Sequence, residues 1–490
     1  MQLFVKNLGP IKECQVDLTK KFLVFVGYNN TGKTYLAHLI WAIFHPFARE
    51  AFVKQLSSNM AFVDQMALNF EAANDINKGS HILTLETEWI NLFLDKYITF
   101  IKSDTLPRVL NIMADIDKYD FLVDKLSLKL QCENLNFLKE QKYKGGIVYQ
   151  SDEKTYRFME LSKDKDSLSL CIDNDIEIDG KIKMLIDNAV YEPKISIISA
   201  VIDLLFDNQI PFYLPVTRLV SSAFYQYILR AEKERKAEIL EDFAKIIKNL
   251  SSVSPESIHK YKGYYTQPTD ILMTSFSTLH EMGKPRDTKD YRDFIEALEK
   301  IIGGSLVIKE ETDSRDIYLK IDSRREIPMF LSSSSVNQLS SLYLYLKYWV
   351  KTERNFLIID EPEINLHPSN QVLLLDILVS FANKNNNRVL IATHSSLIAE
   401  TINNHLHLGI LKNAGVDIED IVYSNKLKIN PENALSHKDI GIYAFERHKV
   451  INYEVDDYGV FFSGFKDIFK QSREISEVLT DEIYKIKESS

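Results

Sequence analysis

Cysteine is almost absent: the 490-residue chain has three, Cys14, Cys132 and Cys171. Three scattered thiols build neither a disulfide framework nor a zinc cluster, and they suit a reducing compartment. Long apolar runs are missing too. The longest, such as 195–206 with Asp203 inside it, fall well short of the roughly eighteen residues that span a bilayer. The opening Met1-Gln2-Leu3-Phe4-Val5-Lys6 lacks the apolar region and cleavage site of a signal peptide. These absences lead to the expectation of a cytoplasmic protein without membrane attachment. Net positive charge is also lacking. Lysine and arginine number 59 against 69 acids, a balance of −10, so the whole chain has no electrostatic case for non-specific nucleic-acid binding. A local basic patch would escape that total and leaves nucleic acid open as a partner. Internal repeats and low-complexity tracts are absent. What remains, 45% hydrophobic and 26% charged residues, has the balance of an ordinary globular protein. The length suggests two to four units of about 100–200 residues each.

The pattern along the chain is strand-like at both ends. Leu3–Leu8 leads through the turn Gly9-Pro10 into Ile11–Leu18, which predicts a hairpin. The short apolar run Lys20–Val26 predicts a buried strand. A glycine-bearing loop follows, and then Leu36, Leu39, Ile40 and Ile43 recur at helical spacing. The stretch from about 50 to 145 reads as largely helical, with a β-like segment to about 180 and a further short strand at Ile210–Leu214. Residues 231–250 carry mixed charge on a helical period, fitting a solvated helix face or a coiled-coil arm. The loop 259–268 interleaves basic and aromatic residues, fitting an ordinary surface loop or a base-stacking one. From Gly303 strands return, then a serine run, a long helix and an apolar strand ending in acids. The expected division is 1–45 and 303–440 as two parts of one α/β fold, 46–302 as a large, mainly helical insertion, and 441–490 as an extension.

Gly27-Tyr28-Asn29-Asn30-Thr31-Gly32-Lys33-Thr34 fits the phosphate-loop pattern G-x-x-x-x-G-K-[ST] without a mismatch. Such a loop wraps a polyphosphate with backbone N–H donors, so side chains are disfavoured at its crowded positions. Lys33 then reaches the β- and γ-phosphates and the Thr34 hydroxyl binds Mg2+. The helix that follows adds its positive N-terminus to the anion site.

A second constellation lies far downstream. Asn355–Asp360 is an apolar strand that continues into Glu361-Pro362-Glu363. Asp360 suits a magnesium ligand, direct or through water, and Glu361 suits the group that orients or deprotonates attacking water. Arg388–Thr393 is another apolar strand, ending at His394, a residue able to contact the γ-phosphate and act as a switch. Ser335 and Gln338 have capping-box spacing. Ser333, Ser334 and Ser335 therefore open a helix whose N-terminus is a second candidate anion site, or else merely a well-capped core helix. Asp456 and Asp457 read as surface acids.

Together these motifs resemble the ABC-type ATPases of the prokaryotic OLD-like AAA group, related to the heads of RecF and SMC proteins. The resemblance covers about 1–45 and 303–440 and is carried by the phosphate loop, Asp360-Glu361-Pro362-Glu363, Leu366-His367-Pro368 and Thr393-His394-Ser395. It implies an ABC-type P-loop head, a mixed sheet flanked by helices, with ATP and Mg2+ as cofactors. It also implies two heads that sandwich ATP, each presenting its signature motif to the other's nucleotide. Tyr213–Arg218 is similar to a family segment that brings an arginine near the nucleotide. The family signature usually carries glycine where this chain has Ser332–Ser335, which implies slow hydrolysis. In that serine-rich form the chain is most similar to ATPases of anti-phage defence operons, such as PtuA of Septu or AriA of PARIS. OLD nucleases add a Toprim domain after the ATPase, and the residues after His394 are too few to complete the head and house it. A nuclease or toxin effector would then be a separate polypeptide.

Three functions fit this reading. One is an ATPase that forms a homodimer or higher oligomer around ATP and regulates a partner effector in anti-phage defence. Another is a RecF-like clamp acting in DNA repair, and the third a slow ATPase scaffold that holds an effector inactive.

Overall fold

The computed structural model describes residues 1–57, 70–71, 80–84, 86–112, 119, 122, 125–139, 144–150, 155–164, 167–172, 193–217, 266–279, 289–311, 314–456, 459–460 and 462. The mixed-charge segment 231–250, the basic-aromatic residues 259–265, Arg218 and Asp457 lie outside them.

The first hairpin forms as expected. Strands β1 (Gln2–Leu8) and β2 (Ile11–Asp17) pair antiparallel around Gly9-Pro10. Strand β3 (Phe22–Gly27) then runs straight into the phosphate loop and helix α1 (Lys33–Phe44). Further strands are β4 (Phe70–Glu71), β5 (Ser80–Thr84), β6 (Ser127–Gln131), β7 (Lys144–Gln150), β8 (Thr155–Asp164), β9 (Ser167–Ile172) and β10 (Ile210–Leu214). After them come β11 (Ser305–Glu311), β12 (Ser314–Lys320), β13 (Glu326–Pro328), β14 (Asn355–Asp360), β15 (Arg388–Thr393), β16 (Ile440–Glu446) and β17 (Lys449–Tyr453).

Nine of these strands form one mixed sheet in the order β10-β14-β15-β3-β16-β17-β2-β1-β6. From β10 to β16 all neighbours are parallel. Beyond β16 the sheet becomes an antiparallel wing, joined through a single parallel register pair, Lys449 with Glu13. The expected α/β class, a mixed sheet flanked by helices, is what the chain adopts. The region 50–145 is less helical than its pattern predicts, because β4, β5 and β6 lie within it. Ser-Leu-Lys-Leu-Gln of β6 alternates strictly, but five residues are too few for that period to stand out. Strands β4, β5, β7, β8 and β9 make a second, five-stranded sheet. The main sheet also runs on past residue 440 into β16 and β17.

Strand β3 shows how the core is divided. Leu23 and Phe25 face one apolar cluster, which contains most of α1. Phe22, Val24 and Val26 face the other, with the helices Ser334–Leu344, Pro368–Asn383 and Ser396–Asn413. Covering both faces is what a parallel sheet requires, and it makes every residue of β14 buried. Because β3, β14 and β15 are parallel neighbours, their C-terminal ends emerge at one edge, where ligands of open α/β sheets bind.

Candidate functional site

The loop after β3 takes a path that few side chains permit. Gly27 has φ +138°, and a Cβ there would stand 2.3 Å from the carbonyl oxygen of Phe445 on β16. Gly32 has φ +99°, and its Cβ would meet Ile11 Cγ1 at 2.7 Å. Asn30 adopts a left-handed φ of 61°, a conformation asparagine tolerates. Asn29 and Asn30 are exposed, whereas Thr31 is buried and its hydroxyl donates to Tyr28 O at 2.8 Å. The first N–H groups of α1 have no acceptor within the helix, and no side chain caps Gly32. The result is a bare, donor-rich cradle at a helix N-terminus, suited to anions.

Lys33 is only 5% exposed. Its ammonium donates to Gly27 O at 3.1 Å and Tyr28 O at 2.6 Å, so it folds back over the loop. Burial pushes its pKa down to about 8, against the opposing pull of Glu361, Asp360 and Glu363.

The downstream acids arrive at this loop. Thr34 Oγ1 donates to Asp360 Oδ2 at 3.0 Å, joining residues 326 positions apart in sequence. Tyr213 donates its hydroxyl to the same oxygen at 2.6 Å. Glu361 takes a left-handed φ of 46° and its N–H donates to Ala392 O at 2.7 Å, turning the chain sharply off β14. Its carboxylate lies 3.4 Å from His394 Nε2, and His394 Nδ1 lies 3.4 Å from the Lys33 ammonium. An ammonium can only donate, so Nδ1 is the acceptor and Nε2 carries the proton that faces Glu361. Hard oxygen donors such as the Thr34 hydroxyl and the Asp360 carboxylate are the set Mg2+ prefers. Beside the donor-rich loop 27–34, that pair fits the ion.

The long reach between sequence and site brings Lys33, Thr34, Asp360, Glu361 and His394 together. The serine run behaves differently. Among the described residues no hydrogen bond joins Ser333, Ser334 or Ser335 to the loop 27–34. The expected capping box at Ser335 and Gln338 is not what forms. Ser333 is the N-cap and accepts from Val336 N at 3.4 Å, and Gln338 is buried at 1% exposure. The helix starts earlier because the buried Asn337 amide donates to Met329 O, Ser332 O and Ser333 O, gripping the approach from below.

Three further groups, to which the motifs assign no role, stand at the site. One oxygen of Glu363 accepts from Thr393 Oγ1 at 2.7 Å, His394 N at 2.8 Å and Ser395 N at 3.0 Å. It thus fixes the loop that carries the histidine, and its place two residues beyond Glu361 was the available signal. Tyr213 and His38 stack against each other with ring centroids 4.8 Å apart. His38 is pushed down to about 4 by burial, opposed by the Thr34 carbonyl, and is neutral. Tyr213 sits in a segment read for its arginine, and His38 is hidden among the apolar residues of α1.

Among known proteins, a family model described as an AAA ATPase domain matches residues 1–399. No curated protein matches the sequence. Similar solved structures include an Smc head domain with an extended coiled coil, bound to the C-terminal domain of ScpA, from Pyrococcus furiosus. It is 13% identical, covers 97% of this chain and 98% of its own, and has a TM-score of 0.29. An SMC head domain from Thermotoga maritima is 10% identical over 93% of this chain and 98% of its own, with a TM-score of 0.28. At such values the fold class rests on the strand order itself.

Proposed function

The chain belongs to the AAA ATPase domain family, and we propose that it binds and hydrolyses ATP with Mg2+ as the head of a dimerising regulator. The observation that carries this reading is the meeting of Lys33 and Thr34 with Asp360, Glu361 and His394 at one sheet edge. In it the loop N–H groups and Lys33 hold the β- and γ-phosphates, and Thr34 and Asp360 hold Mg2+. The ion, when bound, neutralises charge on the phosphate oxygens. Glu361 accepts the proton of attacking water or orients it, while His394, joined to both Lys33 and Glu361, senses the γ-phosphate.

A second copy of the chain completes the site through Ser333, Ser334 and Ser335. Support comes from their neighbours Phe330 and Leu331, which are 63% and 65% exposed. Two large apolar side chains displayed beside a helix N-terminus suit an interface better than solvent. ATP then stabilises the paired state, and hydrolysis releases it. The serine-rich signature favours a defence ATPase of the PtuA or AriA kind, working in the cytoplasm on a separate nuclease or toxin.

Binding of a fluorescent ATP analogue in Mg2+ tests the reading. Wild type binds, and Lys33→Ala loses binding. Equal affinity for the two proteins refutes it.

A further inference from the structure

We infer that Tyr213 and His38 are a buried positioning pair that sets the two proposed magnesium ligands, Thr34 and Asp360, and so governs how strongly Mg2+ assists nucleotide binding. This rests on the nucleotide-site reading above and extends it to two residues outside the motifs.

The pair touches both ligands. Tyr213 is 3% exposed, and it sits on β10, the parallel neighbour of β14. Its hydroxyl reaches Asp360 Oδ2 at 2.6 Å, within the short range of a charge-assisted O–H···O bond. Thr34 donates to the same oxygen, so two donors fix the rotation of one carboxylate. Only Tyr213 is not itself a proposed ligand, so its hold persists when the ion arrives. On the other side His38 stands one helical turn after Thr34, with Nδ1 at 2.8 Å from Thr34 O. A carbonyl only accepts, so Nδ1 carries the proton. Nε2 then accepts from the Thr266 hydroxyl at 3.2 Å. The two rings also stack, but the hydrogen bonds to Asp360 and Thr34 carry the positioning. A site preorganised in this way loses less on capturing a cation than one whose carboxylate must first be ordered.

The test uses the full chain and a fluorescent ATP analogue, titrated with Mg2+ and, separately, in EDTA. Tyr213→Phe keeps the ring and removes one oxygen. It should raise the Mg2+ concentration for half-maximal nucleotide binding about tenfold and leave the affinity in EDTA within twofold of wild type. His38→Asn, which retains a donor towards Thr34 O, should stay near wild type, while His38→Leu shifts in the direction of Tyr213→Phe. An unchanged Mg2+ requirement in both Tyr213→Phe and His38→Leu overturns the inference. So does an equal loss of affinity with and without Mg2+, since that marks a merely structural role. A wild-type protein that binds the analogue no better in Mg2+ than in EDTA would sink the magnesium-nucleotide reading itself, and that result is distinct from the other two.

Discussion

Glu363→Gln isolates the loop that holds the histidine. One glutamate oxygen takes three donors, from Thr393, His394 and Ser395, while its other oxygen, Oε2, is buried and makes no hydrogen bond among the described residues. Glutamine keeps an oxygen acceptor and removes the charge. A bond to a charged acceptor contributes about 1.5–3 kcal/mol and a neutral one about 0.5–1.5, so each weakens by about 1 kcal/mol. The three share one atom and the side chain is half-buried, so the sum falls short of additivity, at about 1–2 kcal/mol. If that loss is felt as displacement of His394, kcat for ATP hydrolysis drops about tenfold, since about 1.4 kcal/mol is one decade. Nucleotide affinity stays within about twofold, because Glu363 makes no hydrogen bond to the loop 27–34 among the described residues and is the weakest of the three acids that sustain the Lys33 charge. Steady-state phosphate release and analogue binding read the two effects separately. A folded Glu363→Gln protein with wild-type kcat would show that the three hydrogen bonds do not position the histidine for turnover.

Glu361→Gln should retain ATP and accumulate the paired form in sedimentation, with turnover at least about a hundredfold lower; turnover equal to wild type would remove Glu361 as the base. ATP affinity should fall as pH rises through about 8, where the buried Lys33 of the free protein loses its proton. The same depression means that the unfolded chain binds the extra proton between about 8 and its ordinary 10.5, so this group makes the nucleotide-free fold more stable across that window. Calorimetry at pH 7 and 9 checks both signs, and affinity rising with pH contradicts the assignment. Gly27→Ala should abolish analogue binding, because its Cβ would enter the 2.3 Å space before Phe445 O at a φ of +138°; a variant that binds normally would show that the cradle tolerates the displacement.

The strand, loop and helix around 27–34 and the acidic end of β14 were readable because they are local. Gly27 to Thr34 needs one strand, one turn and one helix, and Asp360 with Glu361 marks the end of a strand apolar enough to be recognised. The capping position was not readable from spacing. Ser335 with Gln338 matches a capping box, yet helix phase is set by burial of Val336, Leu339 and Leu342 and by the three carbonyls that Asn337 holds. Tyr213 and His38 could not be paired by any short-range rule. Tyr213 meets Asp360 because β10 is laid beside β14, a neighbour distant in sequence, and it meets His38 because α1 lies against β10. The same holds for β6, whose five residues acquire meaning only as an edge against β1.

The order of the strands around β3 bears on how this molecule is made. Its two flanks are β15 and β16, so the most apolar early strand lacks its first neighbour until residue 393 has been made and its second until residue 446. At 5–20 residues per second the wait for both is roughly 20 to 85 seconds. Phe445 also walls the loop opposite Gly27, so a chain that stops short of β16 lacks part of the enclosure around that loop.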